Sequence, residues 1–281
     1  MEKQLIARGL IAGALAGVVA FVFARIFAEP QIQKAINYET ARDAAQALLD
    51  KAAGLQPEMD HGEVFTRTVQ ADVGLGVGLI AFGAALGAIF AVVYAICLGR
   101  VGGIRPRSLA LLVAGAGFVA LYLVPFTKYP ANPPSIGHAE TIKERTTLYV
   151  TMVVCSVLFL ALAVFLGQKL KPRFGNWTAT LIAIGAFIVA IGIVMLVLPS
   201  LGQLSYNKKH FGNYDTETPQ PLKDASGKIV FPGFPADVLF QFRFYSVGAQ
   251  LLLWSVLALI YAPLADRLLA PSRPQASVNA G

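Results

Sequence analysis

Long apolar segments separated by polar connections dominate the chain. Each segment approaches or exceeds the roughly 20 residues that a helix needs to cross the hydrocarbon core of a bilayer. The pattern predicts six membrane-spanning helices, near residues 5–27, 73–98, 108–126, 147–170, 178–198 and 238–262. We therefore predict an all-α fold, a polytopic membrane helix bundle. Residues 1–270 would form a single transmembrane domain, and residues 271–281 a flexible polar tail.

The composition supports this interpretation. Of 281 residues, 56% are apolar and only 14% are charged, and the mean hydropathy is +0.62. Soluble domains carry about 25% charged residues, so an ordinary soluble enzyme and a disordered chain are both excluded. Cys97 and Cys155 lie inside apolar segments, which favours small buried side chains over a disulfide or a metal-binding pair. The length of the first apolar segment disfavours a cleaved signal peptide.

Basic residues are concentrated in one set of connections. Residues 1–8, 99–107, 169–175 and 263–281 hold ten basic and two acidic residues. The three longer connections, residues 28–70, 127–146 and 199–237, hold eleven basic and thirteen acidic residues. Because Lys and Arg accumulate in cytoplasmic loops, we predict both termini inside the cell and the three longer connections outside. The net charge of +7 is then a signal of orientation, and nucleic-acid binding is not expected.

Glycines recur at helical spacing in the first two spans. They are Gly9, Gly13 and Gly17 in the first span, and Gly74, Gly78, Gly83 and Gly87 in the second. Such spacing lets two helix backbones approach closely, because no side chain holds them apart. Packing within one chain is the favoured interpretation, and a dimer face between two copies is the alternative.

Three ionisable residues fall inside predicted spans, namely Arg25, Asp72 and Arg243. Charges at such depth usually pair with each other or face water, so an ionic cluster at the outward end of the bundle is one interpretation. The favoured interpretation is that both arginines extend to the membrane surface and that Asp72 interacts with the helix dipole. The stretch Lys128–Pro134 contains three prolines and is therefore stiff. It would either shape a vestibule or simply redirect the chain.

Histidines give only a weak metal signal. His61 with Asp60 and Glu63, and separately His138, are candidate ligands, because imidazole and carboxylate bind divalent transition metals. The alternative is that these are ordinary surface residues. The chain contains no Walker A, HExxH, CxxC or GxSxG motif, so neither ATP binding of that kind nor enzymatic activity is expected, and no tightly bound cofactor.

Three distinctive segments resemble the CbtA family of probable cobalt transporter subunits. They are FARIFAEPQIQKAINYE (Phe23–Glu39), LYLVPFTKYPANPPSIG (Leu121–Gly137) and FPADVLFQFRFYSVGAQLLLW (Phe234–Trp254). The resemblance extends over most of the chain. The family is usually described with five spans, one fewer than predicted here, and the stretch Ser205–Ile229 looks like an insertion peculiar to this chain.

The resemblance implies a multi-pass protein of the bacterial inner membrane, surrounded by lipid, with Co²⁺ as the transported ion for cobalamin synthesis. It also implies a small histidine-rich membrane partner, CbtB. No established site residues can be transferred from the family. The intramembrane charges and the distinctive segments together give a predicted entrance cluster of Arg25, Glu29, Asp72, Lys128, Tyr129, Asp237 and Arg243.

Two other functions remain open at this point. The chain could be a non-transporting scaffold subunit of a membrane complex. It could also carry an organic, corrinoid-related solute, because two arginines and one aspartate suit an anionic group better than a bare cation. A preference for Co²⁺ over Ni²⁺ does not follow from the residues, since Ni²⁺ binds most such sites more tightly.

Overall fold

The computed structural model describes residues 2–55, 65–212, 214 and 216–269. Its helices are α1 (Glu2–Phe23), α2 (Glu29–Ala52), α3 (Leu75–Cys97), α4 (Pro106–Gly117), α5 (Val124–Lys128), α6 (Ile142–Val197), α7 (Ser205–Phe211) and α8 (Ala236–Leu269). Two short strands, β1 (Leu222–Lys223) and β2 (Ile229–Phe231), pair in an antiparallel hairpin. The protein is about 81% helical, which confirms the all-α prediction.

Among the described residues, three π-helical segments lie at the ends of α-helices. They are Ala24–Ala28 between α1 and α2, Val69–Gly74 before α3, and Phe118–Leu123 between α4 and α5. Through the first of them, α1 continues into α2 as one helix of 51 residues. The predicted connection 28–70 is therefore helical over much of its length. Pro30 does not interrupt the helix, because it lies in the first turn of α2, where its missing N–H is tolerated.

Within the part of the chain that the structure describes, five helices are long and apolar enough to span a membrane, and one of them, α6, folds back on itself. Helix α6 is broken at Gly175, whose φ of 75° and ψ of 170° are not helical. A Cβ atom built on Gly167 would lie 3.4 Å from the Cβ of Ala183. In a straight helix these two residues would be about 24 Å apart. The chain therefore folds back at Gly175, and α6 supplies the fourth and fifth of the six predicted spans.

The closest helix contact in the structure joins α1 to α3. A Cβ atom built on Gly17 would lie 2.5 Å from the carbonyl oxygen of Leu79, and one built on Gly13 would collide with the carbonyl of Gly83. Gly9 faces Gly87 in the same way. Two glycines of the predicted set do not take part. Gly78 has no such neighbour within 4 Å, and Gly74 is near only Val69 of its own helix.

Helix α8 completes the core of the bundle. Its buried Tyr261 makes edge-to-face contacts with Phe90 and Tyr94 of α3, at centroid distances of 5.0 and 5.2 Å. Trp254 packs over Gly117, where an added Cβ would lie 2.5 Å from the indole ring. The outer faces of the spans carry exposed apolar side chains, of which Leu196 is 87% exposed. This is the surface that a protein presents to lipid.

At one end of the bundle, α2 and residues 129–141 and 199–235 fold together into what we call the cap. Tyr38 of α2, Ile136, Phe231 and Phe234 form a small hydrophobic cluster there. The Tyr38 hydroxyl donates a hydrogen bond to the carbonyl of Pro232 (2.9 Å).

The opposite end, which we call the basic end, contains an Arg107–Asp266 ion pair (2.7 Å) and an Arg8 hydrogen bond to the carbonyl of Leu264. The tip of the α6 hairpin at Gly175 also lies there, because both ends of α6 lie beside Tyr129 in the cap. The two sets of connections thus lie at opposite ends of the molecule. Which end faces the cytoplasm stays a prediction.

The glycine contact gives a direct test of the bundle. Replacing Gly13 by Ala places a methyl group against the backbone of α3, which cannot move aside as a side chain can. We expect a loss of stability of about 1–3 kcal/mol, the usual cost of overpacking. The measurement is thermal unfolding of the purified protein in one detergent.

The matched control is Gly78→Ala, the same change at a helical glycine with open space around it. This variant should be neutral, or more stable by up to about 1 kcal/mol because Ala favours helix. Equal stability of the two variants would contradict the packing described here.

Candidate functional site

An ion pair joins the first two spans at the cap end. The Nε atom of Arg25 lies 2.5 Å from Oδ1 of Asp72. Each residue belongs to a π-helical segment, where one extra residue per turn shifts the direction of the side chains, and such segments are frequent at functional sites. The two side chains are 44% and 45% exposed, so the pair is accessible from outside the bundle.

A second ion pair lies one turn further along. Glu29 is buried, with only 6% of its surface exposed, and its carboxylate accepts a hydrogen bond from Arg67. Arg67 also donates to the side chain of Gln33 (3.2 Å). Glu29 belongs to the predicted entrance cluster, but its partner Arg67 does not. Arg67 lies in the polar connection before α3, where the sequence gives no sign of a contact with α2.

Arg243 does not join Asp72. Its guanidinium donates to the carbonyl of Ala131 (3.1 Å) and to Oδ1 of Asn132 (2.8 Å), both in the proline-rich loop. Arg243 forms no salt bridge within the part of the chain that the structure describes. Asp237 is exposed, six residues before Arg243 on α8. The residues predicted as one cluster therefore lie in separate contacts.

The proline-rich loop is held in place from several directions. Tyr129 is 5% exposed, and its hydroxyl donates to the carbonyl of Pro199 (2.8 Å), which links the end of the third span to the end of the fifth. Burial raises the pKa of Tyr129. Lys128 lies with its Nζ 5.9 Å from the centre of the Tyr129 ring. Ser135 adopts a φ of 69°, a strained conformation that persists only where the surroundings fix it.

This loop borders an open cavity of about 290 Å³ between the third and fourth spans. Its lining includes Tyr129, Asn132, Arg145, Thr146, Tyr149 and Leu201, and no carboxylate. The sequence left two roles open for the loop, a vestibule or a simple change of chain direction. The loop does form the wall of a cavity at the membrane end of the cap.

Behind the cavity, Arg145 pairs with a buried carboxylate. Its Nη1 lies 3.1 Å from Oε2 of Glu217, whose side chain is fully buried. Asn207 donates to the other carboxylate oxygen (2.6 Å) and to the carbonyl of Leu201 (2.8 Å). This network was not predicted, because Asn207 and Glu217 belong to the stretch that looked like an insertion. In the structure that stretch is part of the cap.

His138 packs as an aromatic ring. It stacks on Phe211 at a centroid distance of 4.0 Å and an interplanar angle of 8°. Burial lowers the pKa of His138, against the opposing effect of the nearby carboxylates Glu217 and Glu140.

The other candidate metal ligands, Asp60, His61 and Glu63, lie outside the described residues. Within residues 2–55, 65–212, 214 and 216–269, no three His, Cys, Asp or Glu side chains are grouped closely enough to hold a metal ion.

The burial of these charges predicts which substitutions affect folding. Glu217→Gln removes a fully buried charge that pairs with Arg145, and should lower the free energy of unfolding by about 1–3 kcal/mol. Asp72→Asn removes one partner of an accessible pair, and water screens such pairs strongly. Its melting temperature should therefore match that of the unmodified protein. Thermal unfolding of both variants in one detergent checks this contrast, and the reverse order would contradict the assigned burial.

Comparison with known protein families gives a match over nearly the whole chain. The family model described as a probable cobalt transporter subunit (CbtA) matches residues 2–266. No curated protein matches the chain, and no solved structure does. The matched region runs from the first residues of α1 to the last turn of α8, and so includes every span, the cap and the two ion pairs beneath it. The chain therefore belongs to the CbtA family of probable cobalt transporter subunits.

Proposed function

We propose that this protein is the multi-pass subunit of a cobalt uptake system in the bacterial inner membrane, supplying Co²⁺ for cobalamin synthesis. The observation that carries the proposal is the family match, which covers residues 2–266 and hence the whole helix bundle. The family description names a subunit, which implies partners. We take the partner to be a small histidine-rich membrane protein of the CbtB kind, and the chain itself to be a transport component without enzymatic activity.

In this proposal the cap faces outward and the basic end faces the cytoplasm. The short connections at the basic end carry the excess of Lys and Arg that marks cytoplasmic loops. The connections that form the cap have more acidic than basic residues, so they would attract a cation weakly over a distance limited by salt screening.

The proposed point of entry is the ion pair between Arg25 and Asp72. Asp72 offers the kind of oxygen ligand that a divalent cation can use, at the cap end of the second span. Because the pair is accessible, an arriving cation can displace the guanidinium of Arg25 from the carboxylate. The partner subunit would deliver the cation there, and the close pair of helices α1 and α3 would hold both side chains in position.

The test is accumulation of radiolabelled Co²⁺ in cells that lack their own cobalt importers. The cells would express this chain with and without a CbtB-like partner, and membrane levels would be measured for each variant. We expect uptake to require the chain, to be inhibited by Ni²⁺ and to be largely lost in Asp72→Asn. The matched control is Asp43→Asn, the same change at an exposed position of α2, which should transport normally.

Two results would overturn parts of this proposal. Absence of uptake, with the chain and its partner both present in the membrane, would exclude a cobalt route and favour the scaffold function. Normal uptake by Asp72→Asn would leave the cobalt route standing but exclude Asp72 from it. If Asp72→Asn keeps the melting temperature and membrane level of the unmodified protein, a loss of uptake cannot be attributed to misfolding.

A further inference from the structure

The cavity beside the proline-rich loop contains hydrogen-bond donors without acceptors. Asn132 uses its Oδ1 to accept from Arg243 (2.8 Å), so its amide orientation is fixed and its NH₂ group remains unused by the described residues. The Tyr149 hydroxyl likewise donates to no described residue. Next to Tyr149, the hydroxyl of Tyr122 is buried without a hydrogen-bond partner. Of these three groups the Tyr122 hydroxyl is the buried one, and a buried donor without a partner usually indicates a missing acceptor.

Arg145 supplies a positive charge at the same place. Only one of its nitrogens is engaged in the salt bridge with Glu217, and Nη2 makes one long contact of 3.5 Å with the carbonyl of His138. The remaining edge of the guanidinium is left for a ligand. A second guanidinium, that of Arg243, lies directly behind Asn132. With two arginines against one buried glutamate and no carboxylate in the lining, the cavity has an excess of positive charge.

From these groups we propose that the cavity binds an oxyanion, a carboxylate or phosphate group, held by Arg145, the Asn132 amide and the Tyr149 hydroxyl. Guanidinium forks match the two oxygens of such groups and bind them through charge-assisted hydrogen bonds. The first turn of α6, with Ile142 and Thr146 in the lining, adds a smaller attraction through the helix dipole. The site goes beyond the proposed cobalt function and does not depend on it.

Two sources could supply the oxyanion, a small soluble anion or a phospholipid headgroup. The cavity is open and about 290 Å³ in volume, enough for either. A shallow, mostly apolar groove of about 390 Å³ continues from it along the same face of α6, past Val150 and Val154 to Cys155. A hydrocarbon chain would fit there. The chemistry at Arg145 is the same for both sources, so one experiment can address them together.

The experiment measures the melting temperature of the full chain in phosphatidylcholine nanodiscs. The probes are citrate, inorganic phosphate, and replacement of part of the lipid by phosphatidylglycerol. A ligand that binds the folded protein raises its melting temperature, and the increase grows with the logarithm of the ligand concentration relative to its Kd. We expect at least one probe to raise the melting temperature of the unmodified protein.

The variants locate the effect. The double variant Arg145→Gln/Glu217→Gln removes both members of the buried pair at once, so no uncompensated charge is left, and should weaken binding at least about tenfold. Tyr149→Phe removes one donor that has no partner in the described part of the protein, and should weaken binding roughly twofold to tenfold. Lys143→Gln, a loss of charge at an exposed position of the same helix turn, should bind as the unmodified protein does.

Each outcome decides the matter. A shift with citrate or phosphate that is lost in the double variant supports the site with a soluble ligand. A shift only with phosphatidylglycerol, lost in the same variant, supports it with a lipid headgroup. No shift with any probe, or equal shifts in all variants, would overturn it. If the double variant does not fold, Tyr149→Phe and Arg145→Lys, which keeps the charge but loses the fork, carry the same test.

Discussion

The backbone contact between α1 and α3 is the constraint on which the rest of the structure depends. Lipid is as apolar as a leucine side chain, so hydrophobicity does not drive helices together within a membrane. Close packing must do so instead. Gly9, Gly13 and Gly17 allow the carbonyl groups of α3 to come within van der Waals distance of α1. Helix α8 then packs on this pair through Tyr261, and on α4 through Trp254, which lies over Gly117. The α6 hairpin lies at the periphery, because only 11% of the residues in its most apolar stretch are buried.

This close pair also determines where charge can be placed. The glycines hold α1 and α3 together. Arg25 lies in the π-helical segment just after α1, and Asp72 lies in the one just before α3, so both side chains are placed at the cap end. Beyond them, α2 leaves the bundle as a continuation of α1 and provides Tyr38, around which the cap assembles. The same end contains the Glu29–Arg67 and Arg145–Glu217 pairs. Three of the four ion pairs among the described residues thus lie at the cap end, and the Arg107–Asp266 pair lies at the basic end.

Apolar segment length and charge asymmetry predicted the helical bundle, a number of spans close to the five long apolar helices of the described residues, and the separation of the connections into two ends. Both are local properties that the bilayer enforces. The partners of the charges could not be predicted in this way. Arg243 and Asp72 were both predicted at the outward end of their spans, yet Arg243 bonds to Asn132, since contact depends on how the helices are rotated. Glu217 gave no signal, because it is buried against Arg145, which is distant in sequence, and because the sequence does not reveal its hydrogen bond with Asn207. The sequence could not show which glycines lie in the helix contact. Gly78 and Gly83 both belong to pairs spaced four residues apart, but only Gly83 lies against the backbone of α1.

We propose that the molecule has two unlike ends, with the cap outside the cell and the basic end inside. Accessibility of single cysteines to a membrane-impermeant maleimide tests this most directly. Cys97 and Cys155 would first be replaced by Ala, and one cysteine introduced by Asp43→Cys in the cap or by Asn176→Cys at the basic end. In intact spheroplasts the Asp43→Cys variant should be labelled, and the Asn176→Cys variant only after permeabilisation. The opposite pattern would contradict the orientation, and with it the proposed direction of cobalt entry.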